Sequence, residues 1–471
     1  MAKILLVNPL TVPDEFDKSL KEAEAFAAPL GLAYLAAVLE KESYSVEIID
    51  GQVLCAKKAY NYEQFKKYLG EKKPDVVGVT STSAQLKNAI RTLDAVKEIL
   101  PDSVTLIGGP HITALPDDLL KIKSADYGVY GEGEYTLLEV VERIANNRNM
   151  EDIPGVIYKH ENKTNYVLRK FIGELDDLPL PARHLLPMEL YKPSPANYRR
   201  LPAASLITSR GCPYNCAFCH KPIHGFKFRP HSVERVIQEI EQLISKYGVK
   251  DIQIYDDTFT LDRERASKIC SEIINRKLNI KWNCMTRMDR VDLDLLKLMK
   301  KAGCYGVGYG IESGSERILK MIKKGITKQL ARDAVKWAKK AGIEVRGFFI
   351  LAYPTETEEE AMETINFAKE LNVDLAQFMI VTPFPGTDLW RMCKEDGEIV
   401  TKDWSAFTFI SPDSPPFIPS TMTKESVKNL YNKAYRSFYM RPSFILGQLK
   451  ISSLGDIKRK FIATKAILKI G

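Results

Sequence analysis

The densest chemistry in this 471-residue chain lies in Ser209-Arg210-Gly211-Cys212-Pro213-Tyr214-Asn215-Cys216-Ala217-Phe218-Cys219-His220, where three cysteines are spaced CxxxCxxC. Three thiolates so close together can wrap one compact iron-sulfur cluster. Four-iron clusters normally take four cysteines, so three leave one iron open to a substrate or cofactor. The bland alternative is a zinc site with His220 or His224 as fourth ligand. Structural zinc usually pairs CxxC knuckles on two separate segments, and no second knuckle exists here. The remaining cysteines, Cys55, Cys270, Cys284, Cys304 and Cys393, are scattered and read most simply as buried hydrophobes, although one could face a substrate.

These cysteines follow the first strand of a βα series that begins at Ala203. Strands are expected near Ala204 to Thr208, Asp251 to Tyr255, Lys281 to Met285, Gly306 to Gly310, Val345 to Leu351 and Leu375 to Val381. Six such units predict a barrel or part of one, and barrel enzymes place catalytic groups in strand-to-helix loops. Other loop residues of interest are Asp256-Asp257-Thr258, Arg287 and Gly310-Ile311-Glu312-Ser313-Gly314, with Arg346 on the fifth strand. Each has a structural reading as well: Asp257 and Thr258 could cap the next helix, and Glu312 could pair with Arg287.

The first 150 residues alternate short β-branched runs with amphipathic segments, with strands near Lys3 to Val7, Ser45 to Ile49, Asp75 to Val79, Val104 to Ile107 and Asp126 to Tyr130. Runs apolar on both faces imply a parallel sheet covered on both sides, whose ligands bind beyond the carboxyl ends of the strands. Those ends are Asn8-Pro9, Asp50-Gly51, Thr80-Ser81-Thr82-Ser83, Gly108-Gly109-Pro110-His111 and Gly131-Glu132-Gly133-Glu134. Glycine and small hydroxyl residues there admit a bulky polar ligand. No strand is followed by GxGxxG, which disfavours NAD. A hairpin is expected between Gly155 and Leu168, and the proline-rich stretch from Leu175 to Pro195 marks the best domain boundary.

The cysteine loop at the mouth of a partial six-stranded βα barrel resembles the radical S-adenosylmethionine enzymes, and the preceding domain resembles the cobalamin-binding domain of their cobalamin-dependent subclass. The resemblance implies that Cys212, Cys216 and Cys219 hold a 4Fe-4S cluster whose fourth iron chelates S-adenosylmethionine. Electron transfer then splits the sulfonium to give a 5'-deoxyadenosyl radical. It further implies that Phe218 lies against the adenine, that Asp256 or Asp257 and Glu312 contact the ribose or amino group, and that Arg346 helps to hold the cofactor. For cobalamin it implies contacts from Asn8, Thr80, Ser81, Gly108, Gly109, His111, Gly131 and Glu132. The DxHxxG element is missing, since no histidine follows Asp50-Gly51-Gln52, so the usual lower ligand of cobalt is absent. In Leu351-Ala352-Tyr353-Pro354-Thr355, Ala352 and Thr355 stand where relatives often have glycine. Methylthiotransferases would need three cysteines in the first domain, where this chain has only Cys55.

The expected fold is α/β: a doubly wound five-stranded parallel sheet (1–150), a hairpin and linker (151–195), a partial (β/α)6 barrel (196–398) and a helical C-terminal region with a basic tail (399–471). Hydrophobic residues make up 45% and charged residues 27%, which excludes disorder and fibrous repeats. The formal charge is +8, but from Arg441 onward seven basic residues face only Asp456. A chain-wide nucleic-acid surface is therefore not expected. The amino terminus runs straight into a strand pattern, which predicts a cytoplasmic enzyme. The tail, with Phe461-Ile462 and Ile467-Leu468 among its lysines, could touch an anionic membrane or a lipid-like substrate. Tyr431, Tyr435, Phe438 and Tyr439, at helical spacing, are expected to pack on the barrel. The resemblance implies a low-potential donor such as flavodoxin or ferredoxin. Its activities are C-methylation of an unactivated carbon or, without net methylation, oxidative cyclisation or carbon joining on a tetrapyrrole or lipid. A cobalamin or redox sensor without turnover is the contrasting class.

Overall fold

The computed structural model describes residues 2–11, 25–146, 148–408, 413–442 and 444–445. The basic tail from 446 onward lies outside the described residues. The chain forms two compact units, the first built mainly from residues 26–191 with 220–230, the second from 192–219 and the chain after 231.

In the first unit the chain runs β1 (Lys3–Asn8), α1 (Leu30–Lys41), β2 (Ser45–Asp50), α2 (Gly51–Lys58), α3 (Tyr62–Lys72), β3 (Val76–Thr80), α4 (Leu86–Ile99), β4 (Val104–Gly108), α5 (Pro110–Ala114), β5 (Tyr127–Val129), α6 (Glu134–Ala145), β6 (Val156–His160) and β7 (Lys163–Tyr166). The sheet order is β2-β1-β3-β4-β5-β6-β7. The first five strands are parallel, as the alternation predicts. The hairpin β6–β7 extends the sheet, β6 pairing antiparallel with β5. β1 and β3 flank the point where the strand order reverses, which is where a ligand of such a sheet sits. Ile4, Leu6, Val46, Ile48, Val76 and Leu106 form its core with Leu32, Ala33, Ala36 and Leu39 of α1. The apolar stretch beginning at Ala25 is thus a buried helix that starts after Pro29.

The second unit runs β8 (Ala203–Leu206), α7 (Val233–Tyr247), β9 (Asp251–Ile254), α8 (Arg263–Asn275), β10 (Lys281–Thr286), α9 (Leu293–Lys301), β11 (Cys304–Glu312), α10 (Glu316–Met321), α11 (Lys328–Lys340), β12 (Glu344–Leu351), α12 (Glu358–Leu371), β13 (Leu375–Ile380), α13 (Asp388–Glu395) and α14 (Lys424–Tyr439). Its main sheet has six parallel strands in the order β13-β12-β11-β10-β9-β8, with β8 and β13 as edges. Each βα step advances by one strand, the progression of a barrel left open. Helix starts are set locally: Ser232, Asp262, Asp292, Thr327, Thr357 and Thr387 each accept a hydrogen bond from the backbone N–H three residues on. Asp262, not Asp257 or Thr258, caps α8. Along β10, Trp282, Cys284 and Thr286 are buried while Asn283 and Met285 are partly open.

Two features close the barrel's weak points. At the amino-terminal end the Asn197 carbonyl accepts from Gln253 Nε2 at 3.0 Å, Asn283 Nδ2 at 3.1 Å and the Tyr305 hydroxyl at 2.6 Å. At the β13 edge, the Tyr439 hydroxyl accepts from Ala376 N and donates to Ala376 O, while the Tyr435 hydroxyl donates to Phe378 O. The aromatic stripe of α14 therefore packs on the barrel as its spacing predicts. No helix of the described residues is long and apolar enough to cross a membrane.

Candidate functional site at the carboxyl mouth of the barrel

The cysteine loop leaves β8 under tight backbone control. Buried Asp256, just past β9, accepts hydrogen bonds from Thr208 N at 2.6 Å, Ser209 N at 3.2 Å, Ser209 Oγ at 2.7 Å and the Thr208 hydroxyl. Gly211 turns the chain at φ +84°. Further along, Ala217 N donates to Ile322 O and Ala217 O accepts from Leu389 N. A carboxylate with four donors around it is a clamp on this loop, while Asp257 beside it is exposed.

Cys212 is half-buried, Cys216 buried and Cys219 exposed. The Cys216 thiol is brought down to about 6 by hydrogen bonding with Cys219, aided by the Lys324 and Arg287 charges, against the opposing effect of burial. Arg287 Nη1 lies 3.8 Å from Cys216 Sγ. Its guanidinium stacks on the Tyr214 ring at 3.5 Å from the centroid and bonds Asp289 through Nε at 2.9 Å. Lys324 Nζ lies 2.8 Å from Glu312 Oε1, both side chains buried, and 5.4 Å from the centre of the Phe218 ring. The partner of Glu312 is thus Lys324, not the Arg287 that chain order suggested. Glu312 has a left-handed backbone, φ +68°, beside the register shift at Gly310, where a Cβ would stand 2.2 Å from Glu312 Oε1. Ala352 (φ +66°) and Thr355 (φ +59°) are left-handed as well, which is why glycine suits both positions.

Arg346 does not join this group. It pairs in register with Gly308, whereas Glu312 pairs with Phe349 three residues further along β12, so Arg346 lies about 10 Å lower at 3.3 Å per residue. Cys270, Cys284, Cys304 and Cys393 are buried, and desolvation raises the thiols of Cys270, Cys284 and Cys393. His220 is held below the usual histidine range by burial, and His224 Nδ1 faces Glu132 at 3.5 Å.

In the first unit the expected cobalamin residues line the carboxyl ends of the strands. Thr80, Gly108, Gly109 and Gly131 are partly open there, a ledge without a large side chain. Gly109, at φ +96°, packs so closely that a Cβ would meet Thr80 Oγ1 at 2.8 Å and Ser81 O at 2.9 Å. Ser81 is buried and donates to Thr82 O. Asn8 donates to Asp50 Oδ1 at 2.8 Å. Glu132 is buried in a two-pronged pair with Arg229, both contacts 2.9 Å, and accepts from Ile172 N. His111 is wholly buried: Nδ1 meets Ser83 Oγ and Nε2 meets Asp118 Oδ2, each at 3.0 Å. Asn8, Glu132 and His111 thus have polar atoms engaged by the protein itself.

Lys324, Tyr214 and Asp289 were not legible beforehand. Lys324 stands in Lys323-Lys324-Gly325, which reads as a solvated basic run, and only the turn after α10 carries it inward. No group of three His, Cys, Asp or Glu side chains converges on one metal-ion position among the described residues. The cysteines of a cubane bind different irons and need no common point. The donors suit such a cluster: three cysteine sulfurs on one loop, with the Arg287 and Lys324 cations beside them. The ledge of small residues suits a broad planar group.

Residues 206–368 match the radical SAM superfamily and residues 20–141 the B12 binding domain. An uncharacterised methyltransferase of Pyrococcus horikoshii is 39% identical over 94% of this chain and 94% of its own length. Cytidylyl-2-hydroxyethylphosphonate methyltransferase of Streptomyces wedmorensis is 30% identical over 93% and 90%. Anaerobic magnesium-protoporphyrin IX monomethyl ester cyclase of Rubrivivax gelatinosus is 30% identical over 94% and 79%. The structure of the radical S-adenosylmethionine methyltransferase TsrM from Kitasatospora setae, bound to cobalamin and a [4Fe-4S] cluster, superposes with a TM-score of 0.74 at 20% identity, covering 100% of both chains. The chain belongs to the radical SAM superfamily, in the group that carries a B12 binding domain. It is an enzyme whose cofactors are a 4Fe-4S cluster, S-adenosylmethionine and cobalamin.

Proposed function

We propose that the chain methylates an unactivated carbon of a small-molecule substrate. The observation that carries this reading is a three-cysteine loop with Arg287 3.8 Å from the Cys216 sulfur, in a chain that also holds a B12 domain. When bound, the cluster and S-adenosylmethionine supply a hydrogen-abstracting radical and cobalamin a transferable methyl group. In this reading Cys212, Cys216 and Cys219 hold the cluster, and Arg287 and Lys324 balance its charge. Asp256 fixes the loop, while Phe218 and the Glu312–Lys324 pair flank S-adenosylmethionine. Thr80, Ser81 and the glycines 108, 109 and 131 form the corrin ledge. The names of the methyltransferase relatives favour methylation, and the cyclase relative keeps cyclisation as the second reading.

Anaerobic reconstitution followed by product analysis tests it. S-adenosylhomocysteine formed alongside 5'-deoxyadenosine means methylation, and 5'-deoxyadenosine alone means the second reading. A Cys216→Ala protein that keeps its cluster and turnover overturns the cluster assignment. We also assign residues 1–150 to cobalamin binding, 151–195 to a hairpin and linker, 196–398 to the barrel and 399–471 to the C-terminal region. A cytoplasmic setting with flavodoxin or ferredoxin as donor completes the reading. For the tail, liposome co-sedimentation with and without residues 441–471 checks membrane contact, and equal binding by both removes it.

A further inference from the structure

The barrel contains a second polar centre, below the cysteine mouth. A cavity of about 40 Å³ is lined by Asn197, Asn283, Tyr305, Gly308, Arg346 and Leu375 among others. Its carboxylates are already engaged: Glu344 with the Arg199 guanidinium, and Asp374 Oδ2 as acceptor for Val345 N at 2.8 Å. Arg346 has no such partner among the described residues. Its surroundings are the Tyr439, Tyr305 and Tyr255 hydroxyls and a second cation, Arg199, and burial holds its guanidinium below the usual arginine range. The side chain is partly open, not sealed in the core, and a cation held at a small cavity with no anion beside it suits a ligand that supplies the charge.

We infer that Arg346 anchors an anionic group of the substrate, a phosphate, phosphonate or carboxylate, at the floor of the barrel. The planar guanidinium fork matches the paired oxygens of such a group. The cavity has room for a headgroup and not for a whole substrate. Met285, which also lines the cavity, and Phe348 stand beside Gly308 and suit an apolar stretch between the anion and the reacting carbon. With about 10 Å between the Arg346 level and the Glu312 level, the reacting carbon is several bonds from the anion. This deepens the methylation reading and rests on it for the word substrate, but the anion site has its own readout.

The test uses the full chain reconstituted with its cluster and titrated calorimetrically with hexylphosphonate, with inorganic phosphate as competitor. Wild type is expected to bind hexylphosphonate and release it to phosphate. Arg346→Gln should weaken binding at least tenfold and Arg346→Lys less, while S-adenosylmethionine affinity changes less than twofold in both. Should Arg346→Gln not fold, hexylphosphonate is expected to slow phenylglyoxal modification of wild-type Arg346, followed by peptide mass spectrometry, at least fivefold. No binding by wild type, no protection, or equal binding by Arg346→Gln overturns the inference. So does a tenfold loss of S-adenosylmethionine affinity with hexylphosphonate binding intact, which returns Arg346 to the cofactor. Absence of S-adenosylhomocysteine from wild-type turnover would defeat methylation without touching these titrations.

Discussion

Arg287 Nη1 stands 3.8 Å from the sulfur of Cys216 while the same guanidinium lies over the Tyr214 ring, 3.5 Å from its centroid. The cysteine loop therefore holds its own counter-charge in place through one of its own aromatics. Lys324, tied to Glu312, adds a second positive charge, and its carbonyl accepts from Arg287 Nη2 at 3.0 Å.

Because Lys324 and Glu312 are both buried, removing one strands the other. Lys324→Met should destabilise the protein by about 3–5 kcal/mol, and adding Glu312→Gln should recover much of that loss. Urea unfolding of the single and double variants measures both. Loss of the cation should also lower the cluster's midpoint potential, which redox titration reads.

Asp256→Asn replaces a four-fold acceptor with a group that must donate as well. The Thr208–Ser209 turn should loosen and iron loading on reconstitution should fall by about half or more, before any S-adenosylmethionine is added. Full loading with weakened S-adenosylmethionine binding would instead make Asp256 a cofactor contact.

Both His111 nitrogens are spoken for by Ser83 and Asp118. The electron paramagnetic resonance spectrum of the cob(II)alamin-loaded protein should therefore lack nitrogen hyperfine splitting from a protein imidazole, and His111→Ala should leave the spectrum unchanged.

Burial pushes the Glu356 carboxyl up to about 8, and its Oε1 has no hydrogen-bond partner. The native state thus holds a proton that the unfolded chain, near pH 4.5, gives up. Stability from this group is complete below the unfolded value and is lost as pH rises through about 8. Glu356→Gln should match wild type near the lower end of that range and melt a few degrees higher at its upper end, on the order of 2 °C by calorimetry.

Tyr439→Phe leaves the outward N–H and C=O of Ala376 without their partner. A loss of about 2 kcal/mol is expected, with faster deuterium exchange at Ala376.

Much of the fold was legible because βα alternation and helix caps are local. The parallel strands of both sheets and the helix of Tyr431 to Tyr439 followed from periodicity alone. Pairing across the chain was not. The Glu312–Lys324 bond depends on a turn after α10, and the charged clamp of Glu132 comes from Arg229, far off in sequence. The hairpin was visible but not its docking on β5, because a short polar strand carries no mark of its neighbour. The cysteines announced themselves by spacing. The four donors around Asp256 were not visible, because a carboxylate at a strand end looks the same in sequence whatever it meets.

The tyrosine pair on β13 bears on how copies of this protein meet. An open barrel offers its rim strand as a template for a stranger's backbone, and here hydroxyl groups from α14 occupy that template at alternate residues. Two molecules cannot merge their sheets along this rim without first peeling that helix away. Any truncation intended to trim the basic tail should end beyond Tyr439, since a cut ahead of Lys424 would trade a quiet rim for an adhesive one.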